Sequence, residues 1–221
     1  MQLIRYPSPN FGDRRGDGPV DMLVLHYTDM VSAQEALDRL CDPAAEVSAH
    51  YLIDEDGRVY QMVDEDKRAW HAGVSFWRGC RDVNSRSIGI ELANPGHLNG
   101  YRPFPSAQME SLARLCRSIL SRHPIEQRNV IAHSDVAPGR KKDPGELFQW
   151  RWLSKEGVGR WPELVRASDR DLIGSLAEIG YCVDDEAAAI EAFQRHYRPD
   201  AITGEADEET RLLAAGLLET L

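Results

Sequence analysis

Short apolar runs bounded by turn residues alternate along this chain with longer stretches of helical period. MLVLHY (22–27) has strand length and predicts a buried strand ending in His26 and, just beyond it, Thr28. Residues 32–41 predict a helix with Ser32 as its cap. AHYLID (49–54) and RVYQMV (58–63) flank Asp56-Gly57, and a D-G pair between β-rich runs predicts a hairpin. SIGIELA (87–93) is another β-prone run, interrupted by one acid, Glu91. Met109, Leu112, Cys116, Ile119 and Leu120 recur at three- and four-residue steps. They predict a helix capped by Ser106 and ending near His123-Pro124. RNVIAH (128–133) predicts a strand that delivers His133 into the loop AHSDVAPGRKKDPG (132–145). Strands alternating with helices predict an α/β (α+β) fold, a central mixed sheet flanked by helices.

After Trp161-Pro162 the texture changes. Ser168-x-x-Asp171 reads as a capping box for DLIGSLAEIG, which Gly180 closes. A second helix is expected over 185–197 and a third from about Ala206 to the end. Leu172, Leu176, Ile190, Phe193 and Tyr197 would form the core of this small three-helix domain. Its size is near the lower limit for independent folding, so it is expected to dock on the larger part. The expected division is 1–162 and 163–221.

Composition narrows the function. Against 26 basic residues stand 36 acidic ones, a formal net charge of −10. Such a surface is poorly suited to holding nucleic acid by its phosphates. Hydrophobic residues at 42% and charged ones at 28% indicate a globular chain, and no apolar run reaches the ~18 residues of a membrane span. The first residues show no basic segment followed by an apolar one, so a cytoplasmic protein is expected; separately, a monomer is expected. Were the chain trimmed, the alternative is a periplasmic or outer-membrane-associated one. Cys41, Cys80, Cys116 and Cys182 lie far apart without a C-x-x-C pair and read as reduced thiols.

Candidate chemistry starts with the histidines. His26 and His133 each end an apolar run, and side chains at strand ends project from a rigid scaffold. Asp143 follows ten residues after His133. Two imidazoles and a carboxylate are one catalytic zinc set, with a fourth position left for water. On pattern alone, satisfied or surface histidines remain the alternative. Glu91 is costly to bury unless something pairs with it or it has work to do; an outward-facing strand residue is the other reading. Lys141, two before Asp143, could neutralise a developing oxyanion or belong to a solvated Lys-Lys pair.

Five segments then carry a resemblance: VLHYT (24–28), SAHYLI (48–53), AWHAG (69–73), NSRSIGIELAN (84–94) and AHSDVAPGRKKDPG (132–145). In this order they resemble the zinc-dependent N-acetylmuramoyl-L-alanine amidases of the type 2 amidase family, most of all its AmiD branch. That family also includes AmpD, peptidoglycan recognition proteins and the T7-type lysozyme. The resemblance covers roughly 20–150. It implies one zinc ion per chain on His26, His133 and Asp143, with Glu91 and Lys141 as catalytic residues. It implies a peptidoglycan or muropeptide substrate, cut between N-acetylmuramic (or anhydro-N-acetylmuramic) acid and L-alanine of the stem peptide. His71, beside Trp70, and Asn84 are expected to bind substrate. His50 is expected to be structural beneath the site, and His97, His123 and His196 to be surface or packing residues. Asp135, Arg140 and Lys142 are expected to face solvent or serve structure. The helical tail resembles a peptidoglycan-binding domain. The competing functions are a non-catalytic peptidoglycan-recognition module and a different zinc amide hydrolase on the same scaffold.

Overall fold

The computed structural model describes residues 2–163, 165 and 167–220. Its strands are β1 (Leu3–Arg5), β2 (Phe11–Asp13), β3 (Met22–Tyr27), β4 (Tyr51–Ile53), β5 (Val59–Gln61), β6 (Lys67–Ala69), β7 (Ser87–Leu92) and β8 (Val130–Ala132). The helices are α1 (Ala33–Cys41), α2 (Val83–Arg86), α3 (Gly96–Asn99), α4 (Ser106–Leu120), α5 (His133–Val136), α6 (Trp150–Lys155), α7 (Leu172–Ile179), α8 (Glu186–Tyr197) and α9 (Glu208–Leu218). Six strands form one mixed sheet in the order β1-β5-β4-β7-β3-β8, and β2 and β6 form a separate antiparallel pair. This is the α/β architecture expected from the sequence. No helix among the described residues is long and apolar enough to cross a membrane.

The expected hairpin forms, with β4 antiparallel to β5 and Ile53 opposite Val59. Gly57 turns it at φ 86°, a backbone region that favours glycine. In the sheet centre β4, β7, β3 and β8 run parallel. Their C-terminal ends therefore open on one edge, where α/β folds place ligands. Alternation then sorts the side chains. Leu23, Leu25, Ile88, Ile90 and Leu92 pack on one face with Met109, Leu112 and Cys116 of α4. Met22, Val24 and Ile131 point the other way, into a core shared with Leu172, Leu176, Ile190, Phe193 and Tyr197 of the tail. The tail helices thus cover part of one sheet face, and α1 covers Leu52 and Tyr60 beside them. All four cysteines are free thiols, Cys116 buried.

Three local expectations need correction. Ser106 does not cap α4: the cap is Pro105, extended at ψ 148°, and Ser106 is already helical. Ser168 does not cap α7: Asp171 does, accepting from the amides of Ile173 and Gly174 at 3.0 and 3.1 Å, while Ser168 Oγ only holds the Arg170 amide. The last strand stops at Ala132, and His133 opens a helical turn instead of a loop. The Asp135 carboxylate accepts from the Ala132 amide at 2.8 Å and bends the chain there. The third tail helix starts at Glu208, behind the Asp207 cap; the expected final residue, Leu221, lies outside the described residues.

Candidate active site

The parallel strands bring three candidates to one edge. His26 on β3 lies directly opposite Glu91 on β7, and Leu25 is paired with Ala132, the residue before His133. Asp143 returns to the same point because its carbonyl accepts the Ser134 amide at 3.0 Å. Three donor atoms converge: His26 Nδ1 and His133 Nδ1 are 2.9 Å apart, and Asp143 Oδ2 is 3.1 and 3.0 Å from them. All three residues are buried, and they form a group able to hold a metal ion.

The surrounding hydrogen bonds assign the protons. The Ser87 hydroxyl donates to the Val83 carbonyl, so Ser87 Oγ accepts from His71 Nε2–H at 3.1 Å. His71 Nδ1 then accepts from His26 Nε2–H at 3.0 Å, leaving His26 Nδ1 as a lone pair. On the other side His133 Nε2–H donates to the Ala72 carbonyl at 3.1 Å, leaving His133 Nδ1 as a lone pair too. Partners of this kind orient metal-binding imidazoles. Burial, then the neighbouring His133, lower His26 to about 4, so it is neutral near pH 7. Burial alone would raise the Asp143 carboxyl, but the two imidazoles beside it hold it well below the usual range. Two lone pairs and a carboxylate facing one another within 3.1 Å lack the protons to satisfy one another. A metal cation fits that donor set.

Glu91 is not part of the triad. Its Oε2 is fully covered and has no hydrogen-bond partner. Burial, then the Asp143 charge, push its carboxyl well above the usual range, with Lys141 opposing them. Lys141, half-buried, borders the same cleft, a cavity of about 610 Å³ that also touches Trp70, His71, His133 and Asp143. Asp29 Oδ1 is another buried carboxylate oxygen without a partner, and it too lies on this cleft. Three cations of the rim, Arg39, Lys141 and Lys142, form no ion pair among the described residues.

The other expected residues fall differently. His71 borders the cleft, but both ring nitrogens are engaged by His26 and Ser87, so it backs the triad. Asn84, expected at the substrate, is buried and turned to the backbone: its Oδ1 accepts the amides of His71 and Ala72 at 3.1 and 2.8 Å. His50 is wholly buried and accepts the Gly89 amide on Nδ1 at 3.0 Å, the structural place expected for it. Arg140 is structural, binding the carbonyls of Ala72 and Val74, and Lys142 is exposed. His97 borders the cleft, accepting from the Tyr27 hydroxyl at 2.7 Å and donating to Glu146 at 3.1 Å.

Sequence reasoning passed over Ser87 and Gly89. The signal was available in β7, whose cleft face reads Ser87, Gly89, Glu91 against Ile88, Ile90, Leu92 on the other. A Cβ at Gly89 would collide with the His71 ring, so only glycine lets that imidazole lie against the strand.

With this geometry in place, comparison with known proteins is informative. A family model described as N-acetylmuramoyl-L-alanine amidase matches residues 16–146. N-acetylmuramoyl-L-alanine amidase AmiD of Escherichia coli (strain K12) is 38% identical over 231 residues, covering 90% of this chain and 83% of that protein. 1,6-Anhydro-N-acetylmuramyl-L-alanine amidase AmpD of the same organism is 37% identical over 163 residues, covering 66% of this chain and 87% of that one. Among solved structures, the E. coli AmiD complex with the substrate anhydro-N-acetylmuramic acid-L-Ala-D-gamma-Glu-L-Lys superposes with a TM-score of 0.84. It is 36% identical and covers 96% of this chain and 98% of that one. AmpDh3 from Pseudomonas aeruginosa gives 0.83 at 32% identity, over 96% and 94%.

Proposed function

The chain belongs to the N-acetylmuramoyl-L-alanine amidase family, and from that premise we propose that it is a zinc-dependent amidase of muropeptides or peptidoglycan. The bond cut is the amide between the lactyl group of N-acetylmuramic or anhydro-N-acetylmuramic acid and L-alanine of the stem peptide. One observation carries this reading: two lone-pair imidazoles and a carboxylate meet within 3.1 Å in a cleft that also holds the unpartnered Glu91.

His26, His133 and Asp143 would hold one zinc ion. When bound, zinc supplies Lewis acidity to the scissile carbonyl and to the attacking water. The Glu91 carboxylate, which borders the cleft, would accept a proton from that water and return it to the leaving amide nitrogen, so the product amine departs neutral. The burial that raises Glu91 also favours its protonated form, which is the state needed for that second transfer. Lys141 offers an unpaired ammonium to the oxyanion formed at the carbonyl. Arg39 and Lys142, without acidic partners, place positive charge on the rim of an otherwise acidic protein, which suits a stem peptide bearing carboxylates. AmiD and AmpDh3, both similar to this chain, have been solved with anhydromuramic peptides, which supports that substrate class. A binding-only module has no need of a free carboxylate beside a metal set, so Glu91 favours catalysis.

The test is product analysis. Incubation of the zinc-loaded protein with anhydro-muropeptides should release a free peptide beginning in L-alanine, and chelation should stop it. Elemental analysis should find about one zinc per chain. Turnover that yields no such peptide would sink the reaction assigned above.

A further inference from the structure

Residues 132–146 carry His133, Lys141 and Asp143, and helix α8 lies along this segment. Two consecutive α8 residues reach its two ends. At the first, the Asp135 carboxylate accepts from His196 Nδ1–H at 2.7 Å and from the Tyr181 hydroxyl at 2.8 Å. At the second, Arg195 Nε lies 3.7 Å from Glu146, which also takes the His97 ring N–H at 3.1 Å. Between them Gly139 faces Ala188, so closely that a Cβ on the glycine would come within 3.2 Å of the Ala188 Cβ. His196 itself is held by stacking on Trp150 at 3.8 Å and on Tyr197 at 3.9 Å.

Asp135 is 0% exposed, and Tyr181 and His196 are each 2% exposed. A carboxylate so placed must have its charge answered by hydrogen bonds. It has three donors, and two come from the tail. The third is the amide of Ala132, the residue before His133. The tail therefore fixes a carboxylate that in turn fixes the bend from which His133 projects. If one tail donor is lost, the carboxylate is left short inside the protein, and swinging it towards water would release the Ala132 amide.

We propose that Tyr181 and His196 are positioning residues of the metal centre, so that the site's zinc affinity depends on the tail. The tail then serves the catalytic half directly, whatever else it binds. This inference rests on the zinc reading given above.

The test uses the full chain with zinc alone. Zinc dissociation constants are measured by competition with a chromophoric chelator, with circular dichroism and thermal melting of each variant. His196→Leu should weaken zinc binding several-fold, less than the ~10- to 100-fold typical of losing a group bonded directly to a metal ligand, because His196 acts through Asp135. Tyr181→Phe, which removes one oxygen, should shift affinity in the same direction. His196→Asn, which restores an N–H donor, should recover most of the loss; a side chain that only fills space has no reason to show that recovery. Wild-type zinc affinity in folded His196→Leu and Tyr181→Phe proteins would overturn the proposal and leave the tail as a docked appendage. If His196→Leu does not fold, Tyr181→Phe decides by the same criterion. Failure of the wild-type chain to bind zinc would overturn this inference and the zinc reading together. Zinc binding without release of stem peptide would overturn the assigned reaction alone, because the ratio of affinities still judges the clamp.

Discussion

On one face of β3 and β7, Leu23, Leu25, Ile88, Ile90 and Leu92 are wholly buried against α4. On the other, one residue along, Met22 and Val24 stand opposite Ser87 and Gly89, and the row ends at the cleft in His26 opposite Glu91. The same backbone therefore carries a dry packed surface and a polar reacting surface a side chain apart. The packed face tolerates no movement because its atoms are in close contact. The polar face inherits that rigidity, which is what a metal site needs from its scaffold.

Changes on the polar face should remove function and spare the fold. His133→Ala should lose zinc and all measurable amidase activity while its circular dichroism spectrum stays that of the wild type; a fully active variant would defeat the ligand assignment. Glu91→Gln should keep zinc but turn over roughly 100- to 10,000-fold more slowly. Loss of zinc in that variant would make Glu91 a ligand instead. Gly89→Ala should push His71 from its place and so loosen His26, weakening zinc binding by about 10- to 100-fold. On the packed face the pattern should invert. Ile88→Ala should cost about 2–5 kcal/mol in a urea melt yet leave turnover of the folded protein near wild type. The smallest lever is acid. His26 titrates near 4 in the fold against 6.5 in its unperturbed state. Between those values the unfolded chain binds a proton that the fold refuses, so stability rises with pH. With Glu91→Gln in place, so that its raised carboxyl takes up no proton in the same window, the urea midpoint of the metal-free protein should fall as the pH is lowered from 6.5 towards 4, and equally so when Ile88→Ala is added.

Much of this comparison was legible in the sequence. Five apolar positions in MLVLHY and the alternation in SIGIEL define strands from within, because burial of alternate side chains is a local pattern. The residues of the converging triad were legible as well, since His26 and His133 end such runs and the quoted segments are distinctive. What stayed hidden depends on partners remote in sequence. Asp135 looked like one loop charge among several, yet its partners lie 46 and 61 residues further on. His71 was read from its aromatic loop as a substrate residue, whereas the open space above Gly89 decides where its ring goes. Helix starts failed for a different reason. Serines at 106 and 168 offer good caps, but Pro105 and Asp171 already hold the extended backbone that a cap requires.

Consider finally the carboxamide of Asn84. Its single oxygen holds the amides of His71 and Ala72, and these two residues brace different imidazoles, His71 at His26 and the Ala72 carbonyl at His133. Both imidazoles of the candidate metal set are thus surveyed from one benchmark. A disturbance of the 71–72 segment therefore reaches both imidazoles at once instead of one alone. Asp143 is referenced elsewhere, through the Ser134 amide. Ser134 adjoins His133, so this second reference ties the carboxylate to that imidazole, and His133 is the member of the set that both references share.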